Sequence, residues 1–228
     1  MIKYILLDLD DTILDFHKAE AAALKATLEH FDIEPNDTAI ARYSEINAAQ
    51  WKKLEKGELT REQVKLHRFE LFFAELGICC NAEDARTYYE NRLAVGHYFM
   101  PGAEKMLKEI SERYALYLVS NGTTLVQNGR IESAGIAPMF QKIFLSEAIG
   151  YVKPQKEFFD ACFAEIPDFD PTQAIILGDS LTSDIQGGIN AGVRTCWYNP
   201  TGTSRREDII PDFEIGSLDK FLVLLNTL

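Results

Sequence analysis

Short apolar runs alternate with helical patterns along most of the chain. Tyr4 to Asp10 (YILLDLD), Tyr114 to Asn121 (YALYLVSN), Lys142 to Ile149 (KIFLSEAI), Gln173 to Ser180 (QAIILGDS) and Arg194 to Asn199 (RTCWYN) predict strands. Each is nearly continuous in apolar content instead of alternating, the pattern of a parallel sheet covered on both faces. Between and after them, PGAEKMLKEISER, LVQNGRIESAG, PQKEFFDACFAEI, SDIQGGINAG and a closing SLDKFLVLLNTL carry helical spacing, with Pro101 suited to a first turn. Strand–helix–strand repetition predicts a doubly wound α/β sheet.

The rhythm breaks from about Asp15 to Phe99, where only helical patterns occur, among them KAEAAALKATLEHF and REQVKLHRFELFFAELGI. Phe69, Phe72, Phe73 and Leu76 recur at helical spacing and predict a core stripe. Residues 1–14 and 100–228 therefore read as a Rossmann-like parallel-sheet core, and 15–99 as an all-helical domain inserted after the first strand. Open α/β sheets bind ligands at the carboxyl ends of their strands. The insertion leaves from that end and is placed to cover a site there as a lid.

Composition adds constraints. The chain has 228 residues, 46% hydrophobic and 25% charged, enough for a large core plus an insertion. A formal net charge of −12 argues against attraction to a nucleic acid polymer or an anionic membrane. It also sets a problem for any anionic substrate, which needs a local positive charge to approach. The four cysteines, Cys79, Cys80, Cys162 and Cys196, lack zinc or redox spacing and predict reduced thiols in a cytoplasmic protein. No signal peptide and no apolar run near the ~20 residues of a membrane span are found.

The chemistry gathers at the strand ends: Asp8, Asp10 and Thr12 after the first, Ser120, Asn121 and Gly122 after the second, Lys153 before Pro154 after the third, Asp179 and Asp184 after the fourth. Singly, each has a plain alternative. The Asp8–Asp10 pair and Ser120-Asn121-Gly122 suit turns, Lys153 suits a surface, and Asp184 suits a helix N-cap. Together, Asp8, Asp10, Asp179 and Asp184 make an oxygen-rich set suited to Mg²⁺. Lys153, the Ser120 hydroxyl, backbone N–H groups and the start of a helix near Thr123 complete a phosphate site.

In order, DLDDT, SNG, KP and GDSLTSD resemble the four motifs of the haloacid dehalogenase superfamily, and 15–99 stands where that superfamily's C1-type helical cap would. Within it, WKKLEKGELTREQVKLHRFE (Trp51 to Glu70) and GDSLTSDIQGGINAGVRTCWYN are similar to the YjjG-type pyrimidine 5′-nucleotidases. The resemblance implies Mg²⁺-dependent hydrolysis of a small-molecule phosphate ester, a nucleoside monophosphate, including noncanonical pyrimidine ones, in a house-cleaning role.

It also implies roles. Asp8 is the nucleophile that forms an aspartyl-phosphate. Asp10 is the general acid and then base, and its carbonyl also holds the metal. Lys153 neutralises charge, Ser120 and Asn121 hold the phosphoryl group, Thr12 braces the first loop, and Asp179 and Asp184 are metal ligands. A 2-haloacid dehalogenase lacks the acid two residues after the nucleophile, which is present here. A sugar-phosphate phosphatase or phosphomutase on the same core remains an alternative. A receiver-type phospho-accepting module fits less well, since FLSEAI offers Glu147 and no Asp after the third strand. Phe16 and His17 lie near the mouth, His17 reading as a solvated linker residue, and Trp51 reads as a buried cap aromatic in preference to a base-stacking one.

Overall fold

A computed structural model describes residues 1–204 and 206–228. Among them six strands form one parallel sheet: β1 (Tyr4–Leu7), β2 (Ala115–Ser120), β3 (Lys142–Leu145), β4 (Ala174–Gly178), β5 (Arg194–Tyr198) and β6 (Phe213–Ile215), ordered β3-β2-β1-β4-β5-β6. Helices α1 (Phe16–His30), α2 (Asp37–Glu55), α3 (Arg61–Leu76), α4 (Ala82–Leu93) and α5 (Ala103–Ser111) lie between β1 and β2. Helix α6 (Thr124–Ala134) follows β2, and the one-turn α7 (Ser146–Ile149) and α8 (Lys156–Ala164) follow β3. A π-helical turn (Leu181–Ile185) and α9 (Gln186–Ala191) follow β4, and α10 (Leu218–Leu225) follows β6. No helix among the described residues is long and apolar enough to cross a membrane.

Both faces of the sheet are dry, which explains the continuous apolar runs. Ile5 and Leu7 of β1 join Leu116, Leu118, Ile175 and Leu177 in packing against α5, α6 and α10. Leu6, with Tyr117, Val119 and Ile176, faces the other way onto Phe158, Phe159 and Cys162 of α8. On that side a Cβ at Gly188 would stand 2.6 Å from the Ile176 Cγ2 atom, so α9 lies closer to the sheet than any larger residue permits.

Helices α1 to α4 build a separate apolar cluster from Leu24, Tyr43, Phe69, Phe72, Phe73 and Tyr89, which Val126 of α6 joins from below. Asp15, Asn36, Thr60 and Asn81 cap the starts of these four helices, and Thr60 with Gln63 forms a capping box. The segments entering and leaving this set run side by side. The Asp15 N–H donates to the Tyr98 carbonyl at 2.7 Å, and the Met100 N–H to the Ile13 carbonyl at 2.9 Å.

Four local expectations are corrected. The first strand stops at Leu7, so Asp8 and Asp10 lie in the loop beyond it. The third stops at Leu145, and SEAI forms α7, its Glu and Ala being poor strand formers. The edge strand β6 was not anticipated, since three residues with Glu214 in the middle give too little periodicity. Leu76, at the end of α3 where Gly77 turns the chain, is 44% exposed and leaves the core stripe to Phe69, Phe72 and Phe73.

Candidate active site

Strand β1 sits where the chain order reverses, with β2 on one side and β4 on the other, the place where crevices open in such sheets. The loop after it prolongs the β1–β4 pairing, as the Asp8 N–H donates to the Leu177 carbonyl at 3.0 Å. Thr12, fully buried, donates its hydroxyl to Asp8 Oδ2 at 3.3 Å. Asp11 takes a left-handed backbone, φ 56°, and its carboxylate accepts the N–H of Phe16 at 2.9 Å, tying the loop to the start of α1.

Lys153 occupies the centre. It is 1% exposed, against the surface alternative, and its Nζ donates to Asp8 Oδ1, Asp184 Oδ1 and the Val119 carbonyl, each at 2.7 Å. Asn121 fixes the backbone of Lys153 from both sides: its Oδ1 accepts the Lys153 N–H at 2.8 Å and its Nδ2 donates to the Lys153 carbonyl at 2.9 Å. The Asn121 side chain is thus committed to placing the lysine.

Asp184 is buried within the π-helical turn, and its Oδ2 accepts the Ser180 N–H at 3.1 Å. Ser180, not Asp184, caps that turn, which removes the N-cap alternative. The fit demands glycine at the end of β4: a Cβ on Gly178 would lie 2.3 Å from the Asp184 carboxyl. One oxygen from each of Asp8, Asp179 and Asp184 lies within 4.8 Å of the others.

Electrostatics leave this set short of positive charge. Burial first and then Asp184 push the Asp8 carboxyl up to about 8, although Lys153 pulls the other way. Burial, followed by Asp184 and Asp8, holds Asp179 well above the usual carboxylate range. Burial also works against the Lys153 ammonium, but Asp184 and Asp8 outweigh it and raise its pKa. Three carboxylates, Asp8 and Asp184 buried and Asp179 half-buried, facing one ammonium fit a hard divalent cation with oxygen ligands.

The Asp10 carboxylate is gripped from α6. Gln127 of α6 donates to its Oδ2 at 2.7 Å, and Arg130, fully buried on the same helix, pairs with its Oδ1. The Asp10 oxygens are not among the three that converge, and its side chain lines the same crevice as Asp8. Ser120 is buried, its Oγ accepting from Gln127 Nε2 at 2.8 Å and from the Gly122 N–H at 3.1 Å. At the start of α6 the Thr124 N–H is already taken by Glu147 Oε2 at 2.7 Å, so this helix end offers fewer free donors than expected.

A cavity of about 300 Å³ opens above these groups, lined below by Asp8, Lys153 and Asp179 and above by Asn47, Trp51 and Arg68. Trp51 is half-buried at its wall, contrary to the buried role expected of it. His17 is exposed at the same cavity, 3.5 Å from Asp11. Arg68, 3% exposed, donates to Asn47 Oδ1 and Glu90 Oε1, both at 3.2 Å, and Asn47 in turn donates to Glu20 Oε1 at 2.6 Å. Contacts link the helical set to the sheet loops: Arg61 donates to Ser146 Oγ at 2.6 Å and to the Asn121 carbonyl at 3.3 Å, and Glu55 accepts from Thr182 at 3.2 Å.

Sequence reasoning missed Gln127, Arg130 and the Glu20–Asn47–Arg68–Glu90 network. A signal existed for the first two. Val126, Gln127, Arg130 and Ile131 share the buried stripe of α6, and polar residues on an apolar stripe call for partners.

A model of the haloacid dehalogenase-like hydrolase family matches residues 5–198. The HAD-hydrolase YfnB of Bacillus subtilis (strain 168) is 38% identical over 222 residues, covering 97% of this chain and 94% of that protein. The pyrimidine 5′-nucleotidase PynA of Streptococcus pneumoniae is 34% identical over 98% of this chain and 95% of its own length. The pyrimidine 5′-nucleotidase YjjG of Escherichia coli (strain K12) is 28% identical over 97% of both. A crystal structure of YfnB, described as bound to magnesium and as revealing interdomain movement, superposes with a TM-score of 0.94 at 38% identity over 99% of each chain.

Proposed function

We propose that this chain, which belongs to the haloacid dehalogenase-like hydrolases, cleaves phosphate monoesters through an aspartyl-phosphate on Asp8 and acts on pyrimidine nucleoside monophosphates. One observation carries the reading: Asp8 Oδ1 lies 2.7 Å from the buried Lys153 ammonium, inside a three-carboxylate cluster at the floor of a cavity.

A carboxylate attacks a phosphate dianion only where the charge is neutralised. Lys153 supplies one positive charge in place. Asp8, Asp179, Asp184 and the Asp10 carbonyl are the groups that would hold Mg²⁺, which when bound supplies the rest and orients the phosphate. Magnesium in the YfnB structure supports this assignment. Asp8 then bonds to phosphorus as the ester oxygen departs. Asp10 gives that oxygen its proton, and afterwards takes one from the water that breaks the acyl-phosphate. A halide needs no such proton, so Asp10 favours phosphate esters over haloacids. Lys153, held by Asn121, stays beside the transferring group, while the Ser120 hydroxyl, whose own proton is not committed to either neighbour it accepts from, is the donor for an outer oxygen.

Residues 15–99 are read as a cap that excludes water and recognises the leaving group. The cavity suits a nucleoside: Trp51 offers a stacking face, and the Arg68–Asn47–Glu90 network offers donors and acceptors to a base edge. The names of PynA and YjjG favour pyrimidines.

The test is phosphate release from purified protein on nucleoside monophosphates and sugar phosphates, with Asp8→Asn and chelator controls. Turnover of UMP or dUMP that is lost in Asp8→Asn and with chelator supports the proposal. Full activity of Asp8→Asn refutes the mechanism, and a strict preference for sugar phosphates refutes the substrate.

A further inference from the structure

Arg130 is the largest fully buried side chain among the described residues, and its surroundings are unusual for a packing residue. Its Nε donates to the Gly96 carbonyl at 3.0 Å, on the segment that returns from α4. One terminal nitrogen pairs with Asp10 Oδ1 and reaches Gln127 Oε1 at 3.2 Å. Its guanidinium lies 5.6 Å from the centre of the Phe16 ring, and its second terminal nitrogen is buried without a partner. An apolar side chain of similar volume would fill this space without the desolvation cost or the orphaned donor. The return for that cost is the grip on Asp10: Arg130 takes Oδ1 while Gln127 takes Oδ2.

We infer that Arg130 is a positioning residue for ester hydrolysis that acts through Asp10, an inference resting on the acid–base role proposed above. As the bond from phosphorus to the leaving oxygen breaks and the bond to Asp8 forms, the Asp10 proton passes to the leaving oxygen and Asp10 becomes a carboxylate. In the second half, water's oxygen bonds to phosphorus, Asp8 leaves as a carboxylate, and Asp10 takes the proton the water gives up. Arg130 and Gln127 hold its oxygens in one orientation throughout, and the Gly96 carbonyl fixes the guanidinium that does so.

The experiment uses the full chain with Mg²⁺ present and compares Arg130→Met, Arg130→Lys, Asp10→Ala and the double variant Asp10→Ala/Arg130→Met. Two substrates are compared, UMP and p-nitrophenyl phosphate. Nitrophenolate departs without a proton, so kcat/KM on that ester bypasses the acid. Expected for Arg130→Met is a loss of about 10- to 100-fold in kcat/KM on UMP, a part of what acid–base catalysis contributes. On p-nitrophenyl phosphate the change stays within about twofold, Lys restores part of the loss, and the Asp10→Ala background shows no further loss. Equal losses on both substrates, or losses that multiply in the double variant, overturn the inference. If Arg130→Met does not fold, Gln127→Leu, which frees Asp10 Oδ2, must show the same substrate split, and its absence is equally fatal. An Asp10→Ala enzyme with undiminished UMP turnover would remove the acid–base reading itself, and the role of Arg130 with it.

Discussion

Lys153 and Asp8 stand 145 residues apart in the chain, yet the lysine Nζ donates to Asp8 Oδ1 at 2.7 Å, with both side chains buried. Lys153→Met removes a positive charge from beside Asp8, the proposed nucleophile, and leaves three converging carboxylates facing one another. Turnover should fall by at least about 10²-fold, the scale of losing one electrostatic contact to a reacting oxyanion. Breaking a buried pair on one side also costs about 3 kcal/mol of folding stability, measurable by urea unfolding. A variant of near wild-type rate would remove Lys153 from the site.

Asp179 is held with its neighbours against burial and like charge. Asp179→Asn should therefore leave the metal-free protein as stable as wild type or more so, while abolishing its response to magnesium. For the wild type, Mg²⁺ at a hundredfold over its dissociation constant should add about 2.7 kcal/mol to stability, and chelator should reverse it. Melting curves with and without the ion decide the matter, and an undiminished magnesium shift in Asp179→Asn contradicts the ligand assignment.

The close approach of Gly178 to Asp184 predicts a sharp effect from one methyl group. Gly178→Ala pushes the Asp184 carboxyl out of its place between Lys153 and the Ser180 N–H. Activity should drop at least about tenfold, the equivalent of 1.4 kcal/mol in the transition state, and the magnesium requirement should rise. Unaltered kinetics would show that Asp184 tolerates displacement.

Trp51 lines the cavity far in sequence from the loop that carries Asp8. Trp51→Ala should raise KM for UMP about tenfold through lost stacking, leaving hydrolysis of p-nitrophenyl phosphate within about twofold. Equal effects on both esters would assign Trp51 to packing among the helices between β1 and β2.

Burial pushes the thiols of Cys162 and Cys196 up to about 12, whereas Cys79 is exposed. Both buried groups stay protonated, and so unreactive, at neutral pH. A maleimide at pH 7 should label Cys79 readily and spare Cys162 and Cys196 until denaturant is added, as peptide mapping will show.

The parallel sheet was legible because apolar runs with both faces covered have no polar register to confuse the reading. Asp8, Lys153, Asp179 and Asp184 were legible because strand ends in such a sheet must converge, whatever lies between them in sequence. Arg130 and Gln127 were not, since a polar residue on a helix reads as solvent-facing until the buried stripe of α6 is known. The stretch from Trp51 to Glu70 carried a likeness that the similarity to PynA and YjjG bears out. Thr60 and Gln63 close a capping box and Gly57 turns the chain with φ 73°, so several of its letters report helix ends and not chemistry. Glu214 hides β6 because a charge in a three-residue strand leaves two apolar positions to detect.

The chain departs after Ile13 and comes back at Met100 along paired backbones, so the two ends of the four-helix excursion are neighbours. A detour with adjacent gates can be lengthened, swapped or cut away without unthreading a single strand. New leaving-group preferences are thereby open to a phosphoryl-transfer floor that need not change at all.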